Sequence, residues 1–178
     1  MMKVWRISRT FAACILMAAP AKAAAPAFVP INPANAQIGY SVFALGLVPM
    51  RGTFQDFSGT LTLRTEIPGA CQIHVRVSVG SLRMASRALT RQALATNMLD
   101  VGGYPAMEFT GACQGQGVDG TLSLHGAKRP FHLSIHRDGQ TVTCSGSLMR
   151  RDYGIKGLAG WLSSNVHITL SMRLPDGA

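Results

Sequence analysis

The chain of 178 residues is long enough for one domain with a sizeable core and short for two. Apolar residues make up 47% and charged ones only 14%, which excludes bulk disorder, while 19 glycines and nine prolines argue against long helices and for many short strands and turns. The formal net charge of +9 suggests a nucleic-acid binder until the N-terminus is read.

That N-terminus has the form of a secretory leader. Lys3, Arg6 and Arg9 make a basic start, Phe11 to Ala19 an apolar stretch, and Ala21-Lys22-Ala23 a small-residue cleavage site. The apolar run is too short to span a bilayer. Cys14 lies inside it rather than after it, against a lipoprotein anchor. Cleavage is expected after Ala23, leaving an exported protein. Loss of residues 1–23 removes four basic side chains and no acidic one, bringing the charge from +9 to +5. The remaining basic residues are scattered, so no phosphate-tracking stripe forms and nucleic acid is excluded as a partner. A mild attraction to anionic lipid headgroups is the better use of the excess.

Residues 24–36 are rich in Pro and Ala and read as a leader onto a domain spanning 37–178. Ile38-Tyr40-Val42 opens an alternating pattern, followed by a strand from Thr53 to Leu63 with a bulge near Phe57. Ile73-Val75-Val77-Val79 is the cleanest period-two run, with His74, Arg76 and Ser78 on its other face. Residues 83–99 break the alternation and predict an inserted helix, with Met84, Ala88, Leu89, Ala95 and Leu99 roughly on one side. Strands resume at Met107-Phe109, Val118-Leu124, Phe131-Ile135, Val142-Leu148 and Val166-Leu174. The expectation is eight antiparallel strands and one helix, in a sheet that must curl into a barrel or split into a sandwich. Few aromatics and short strands argue against an outer-membrane barrel, so the apolar face points inward.

Four segments, "RGTFQDFSGTLTL" (51–63), "GYPAMEF" (103–109), "VDGTLSLHGAKRPFHLSIH" (118–136) and "RRDYGIKG" (150–157), closely resemble the YceI-like family in order and spacing. The resemblance implies a mainly β, lipocalin-like eight-stranded barrel in the periplasm, holding a polyisoprenoid or related long apolar lipid. It also implies possible contact with membrane redox proteins, since some family domains are attached to membrane cytochromes.

On the residues themselves, an eight-stranded enclosure is either filled by side chains or left open for one slender ligand. Phe54, Val75, Val77, Phe109, Leu122, Leu124, Phe131, Leu133, Ile168 and Leu170 are expected to face the interior, as packing or as ligand contacts. Phe57, Met98, Leu99, Tyr153, Ile155 and Trp161 lie on or beside irregular segments, where mouth residues meet ligands. Arg150 and Arg151 are candidates for a polar or phosphorylated headgroup, against a structural role closing a strand end. The five histidines (74, 125, 132, 136 and 167) fall on the polar face, and no spacing suits a metal. No nucleophile, base and orienter stand together, so neither an enzyme nor a cofactor is expected. The reading is an exported carrier for a long-chain apolar ligand, and its rival an envelope accessory module with a filled barrel that docks on a membrane redox or envelope complex.

After the leader three cysteines remain, none in a CxxC, which excludes redox-motif and zinc-ribbon readings. If the strands ending at Val79 and starting at Pro105 pair antiparallel, facing residues have a constant number sum. Val79 opposite Pro105 gives 184, and Cys71 with Cys113 gives the same sum. A Cys71–Cys113 disulfide with Cys144 as a buried thiol is therefore expected.

Overall fold

Alternation decides where the strands lie. In the computed structural model, which describes residues 27–63 and 70–174, Cys71–Ser78 buries Cys71, Ile73, Val75 and Val77 and exposes Gln72, His74 and Arg76. The expected secretory leader falls outside the described residues. Eleven strands form one antiparallel sheet: β1 (Ala27–Ile31), β2 (Ala36–Ala44), β3 (Val48–Phe54), β4 (Phe57–Leu63), β5 (Cys71–Ser78), β6 (Leu82–Met84), β7 (Ala106–Gln114), β8 (Gly117–Leu124), β9 (Ala127–Asp138), β10 (Thr141–Met149) and β11 (Leu162–Arg173). Their order is β1-β4-β5-β7-β8-β9-β10-β11-β2-β3-β6, and the sheet curls into a half-barrel around one core.

The expected count of eight strands is corrected to eleven, for three local reasons. Residues 27–31, read as part of the leader, pair with β4 as an edge strand. Pro30 is tolerated there because an edge strand can spare one N–H donor. The run from Thr53 to Leu63 breaks at Gln55-Asp56, where the chain passes from one end of the sheet to the other. That corner is tied by Ser78 N–H donating to the Asp56 carbonyl (3.0 Å) and by Gln55 N–H donating to that of Ser81 (3.3 Å). The third addition is β6, which takes the start of the expected helix and pairs with Gly52–Phe54 of β3.

The helix itself is shorter than 83–99. It runs as α1 (Arg87–Leu94), opened by Ser86, whose hydroxyl accepts from Leu89 N–H at 3.2 Å. Residues 95–103 continue as turns. With α1 they form the long β5–β7 connection, at the end of the sheet that also carries the β2–β3, β8–β9 and β10–β11 connections. We call this the mouth end.

Cys71 and Cys113 are joined by a disulfide with their Cα atoms 4.9 Å apart, at the opposite end of β5 and β7. The β5–β7 pairs run from Gln72–Ala112 to Ser78–Ala106, the register of the number-sum argument. Cys144 is a buried free thiol, its pKa raised by burial. Inside the sheet Phe109 and Phe131 meet edge to face, centroids 6.0 Å apart. Each ring lies across a glycine of a neighbouring strand. A Cβ at Gly120 would come within 2.7 Å of the Phe109 ring, and one at Gly146 within 2.8 Å of that of Phe131.

One histidine departs from the expected polar face. His125 sits in the β8–β9 turn at φ +50°, half-buried against Tyr104 with ring centroids 4.3 Å apart, and hydrogen-bonds the Tyr153 carbonyl through Nδ1 (3.0 Å). The turn breaks the alternation that assigned its face. His74 and His132 do lie outside, paired with Glu108 (2.6 Å) and Asp119 (2.7 Å), and His74 holds the Glu108 carboxyl below the usual carboxylate range.

Candidate functional site

The curl leaves two apolar chambers, one between the sheet and α1 and one lined by the strands alone. The larger, about 140 Å³, lies at the mouth end. Inward-facing positions of β2 (Tyr40, Val42), β3 (Met50, Phe54), β8 (Leu124) and β11 (Val166, Ile168) make one side of it. Met84, α1 with Leu89 and Ala93, the turn residues Met98 and Leu99, and Ile155 and Leu158 of the β10–β11 connection make the other. The inner chamber, about 60 Å³, is walled by Val75, Val77, Phe109, Leu122, Phe131, Leu133 and Leu170, with Ile38. Met107 and Ile168 line both, so they form the partition.

Polar groups are few around the mouth chamber. The Tyr40 hydroxyl donates to the Met84 thioether at 3.2 Å, a weak acceptor, and burial pushes the Tyr40 pKa up to about 12. Gln92 is exposed at the rim. Arg150 also borders the chamber, but its guanidinium is occupied by the fold. It donates to the carbonyls of Ser163, Ile155, Gly157 and Leu162, clamping the whole β10–β11 connection. Gly157 makes that clamp possible, since a side chain there would strike Asn97 and Met98 on the adjoining turn.

The sequence-derived residues therefore sort into three groups. Phe54, Met98, Leu99, Leu124 and Ile155 line the mouth chamber, while Val75, Val77, Phe109, Leu122, Phe131, Leu133 and Leu170 line the inner one. Ile168 belongs to both. Phe57 is buried in the core away from either chamber. Tyr153 is buried beside an outer cleft, where β9 and β10 stop pairing beyond Ser134–Ser145. Trp161 stands in solvent. Of the headgroup pair, Arg150 is spent on the four carbonyls. Arg151 is exposed, and its guanidinium donates to the Met149 sulfur at 3.3 Å.

Sequence reasoning missed the β2 wall and the three methionines 50, 84 and 107 as lining residues. The β2 alternation at Ile38-Tyr40-Val42 carried the first signal. Met107 carried one in its spacing to Phe109, and Met84 in its place on the apolar side of the expected helix, but Met50 carried none, since a flexible thioether fills gaps that no periodicity marks.

Known proteins share this fold. The model of the YceI-like domain matches residues 30–174. A UPF0312 protein of Shewanella baltica is 26% identical over 171 residues, covering 87% of this chain and 90% of its own length. Among solved structures, Burkholderia cenocepacia BcnA superposes with a TM-score of 0.67 at 17% identity, covering 82% of this chain and 99% of that one. A domain from Saccharophagus degradans, described as polyisoprenoid binding, superposes at 0.58 with 15% identity and covers 85% of this chain and 100% of its own.

Proposed function

The chain belongs to the YceI-like family, and from that premise we propose that it is a periplasmic carrier that takes a long-chain apolar lipid, a polyisoprenoid by chemistry, into its two chambers. The observation that carries this reading is the pair of adjoining apolar chambers sharing Met107 and Ile168. An unbranched methionine has three side-chain torsions, so Met107 can swing aside and join the chambers into one channel. Each enclosed carbon contributes roughly 0.8 kcal/mol by leaving water, so about a dozen enclosed carbons supply micromolar affinity before ordering costs are subtracted.

The leader at residues 1–23 supports export to the periplasm, where the Cys71–Cys113 disulfide would persist. No group in either chamber is needed for turnover; the proposed work is binding and release. Lipid extraction and mass spectrometry of the protein purified from its exporting cell tests the proposal. A stoichiometric prenyl chain is expected. A lipid-free protein that also fails to take up added prenyl alcohols would refute it and favour the rival accessory module.

A further inference from the structure

The mouth end carries exposed side chains that the core does not explain. The β2–β3 turn presents Leu45 (62% exposed), Leu47 (83%) and Val48, and the adjoining β10–β11 connection presents Leu158 and Trp161 (66%). The two are one surface, because Leu45 N–H donates to the Trp161 carbonyl at 2.7 Å and Ala44 pairs with Leu162. Scattered exposed leucines need no account, but a contiguous apolar patch marks an interaction site.

Backbone conformation points the same way. Leu45 and Leu158 have φ values of +50° and +55°, a left-handed region that leucine enters only at an energetic cost and that glycine would occupy freely. Both keep large apolar side chains turned to solvent. The patch also runs into the chamber, since Leu158 and Leu89 of α1 line it while remaining exposed.

Charge selects the occupant. The connections at the mouth end carry Arg83, Arg87, Arg91, Arg151 and Lys156, all exposed, against Asp100 and Asp152, with Asp56 at the β3–β4 corner beside Ser78. The described turns at the opposite end, residues 32–35, 115–116 and 139–140, carry no charge. Apolar loop tips with a tryptophan, on the end of the sheet that also carries these cations, match a bilayer interface whose headgroups are anionic. A second copy of this chain fits poorly, because a two-fold contact would set the same cations against each other. No described helix is long and apolar enough to cross a membrane.

We propose that the mouth end docks on an anionic lipid bilayer through the Leu45–Val48 turn and the Leu158–Trp161 loop, bringing the chamber opening to the membrane surface. This rests on the carrier reading for its purpose, but it can be tested without any ligand in the chambers. The chain from Ala24 to Ala178 contains every described element and has Trp161 as its one tryptophan. Its fluorescence is read against vesicles of phosphatidylcholine alone and of phosphatidylcholine with phosphatidylglycerol. A blue shift and co-sedimentation with the anionic vesicles, weakened by salt, are expected. Leu47→Asp should weaken binding by about tenfold or more through lost burial. Arg87→Glu/Arg91→Glu should do so through charge, and thermal melts verify that both variants fold. Absence of a shift, equal binding to neutral vesicles, unaltered binding by both variants, or a concentration-dependent shift without vesicles, which would denote self-association, overturns the proposal. Leu124→Trp separates the two readings: it should impair prenyl uptake and leave vesicle binding intact when read by co-sedimentation, since its second tryptophan masks the Trp161 signal.

Discussion

Val77→Phe should shorten the ligand that the protein can hold. Val77 lines only the inner chamber, on a strand fixed on both sides by β4 and β7, so a larger ring there has nowhere to go but into the 60 Å³ space. Cavity volume in protein interiors is worth about 24 cal/mol per Å³, so losing that chamber removes about 1.4 kcal/mol from a chain that reaches it. That is about tenfold in affinity. Leu124→Trp adds about 60 Å³ of side chain to the 140 Å³ mouth chamber, where the same scale gives about 1.4 kcal/mol, or roughly tenfold, for every ligand. Competition binding with short and long prenyl alcohols reads the contrast. Val77→Phe should spare the short ones and Leu124→Trp should spare neither. Overpacking costs about 1–3 kcal/mol of stability, so each variant is first shown to melt cooperatively. Equal loss for short and long ligands with Val77→Phe, or no loss in a folded Leu124→Trp, would refute the two-chamber reasoning.

Three further outcomes are expected. The oxidised chain from Ala24, once denatured, should yield one free thiol, mapped to Cys144 and slow to alkylate in the native state; Cys71→Ser/Cys113→Ser should lose about 4 kcal/mol in chemical denaturation, from a loop with a sequence separation of 42. Arg150→Lys leaves most of the four carbonyls without a donor and should cost about 1.5–3 kcal/mol, with proteolysis concentrated in residues 154–161. Tyr40 has its pKa raised by burial to about 12, so its phenol ionises in the unfolded chain first; stability should fall by about 2 kcal/mol as pH rises from 10 to 12, and a Tyr40→Phe variant that keeps the full alkaline slope would disprove this.

The strands with one wet and one buried face were legible, because burial on one face imposes period two. β5 is the clearest, and its pairing with β7 followed from two cysteines and a constant number sum. Elements held by tertiary contacts rather than by pattern were not legible. β1 has no alternation strong enough to outweigh its Pro and Ala content, yet β4 holds it by register along its whole length. The helix lost its first residues to pairing with β3, which no local propensity announces. In the site, the inner chamber was read almost completely, since its walls are regular strands. The mouth chamber was read in part, because α1 and the Arg150-clamped connection build much of it. Trp161 was placed near the mouth by its loop, but loop membership does not say which way a ring turns, and it faces solvent.

The glycines under the two phenylalanine rings make the inner chamber adjustable from positions that do not line it. Gly120 and Gly146 leave room for Phe109 and Phe131 to lie flat against the sheet. A methyl group at Gly120 would meet the Thr110 carbonyl of β7 as well as the Phe109 ring, and one at Gly146 the His132 carbonyl of β9 as well as the Phe131 ring, so either would shift the neighbouring strand and its ring together without altering any lining residue. Two relatives with identical lining side chains could therefore prefer ligands of different length. Selectivity in such a protein is recorded partly in the residues that have no side chain, and a comparison restricted to pocket-facing positions would pass over it.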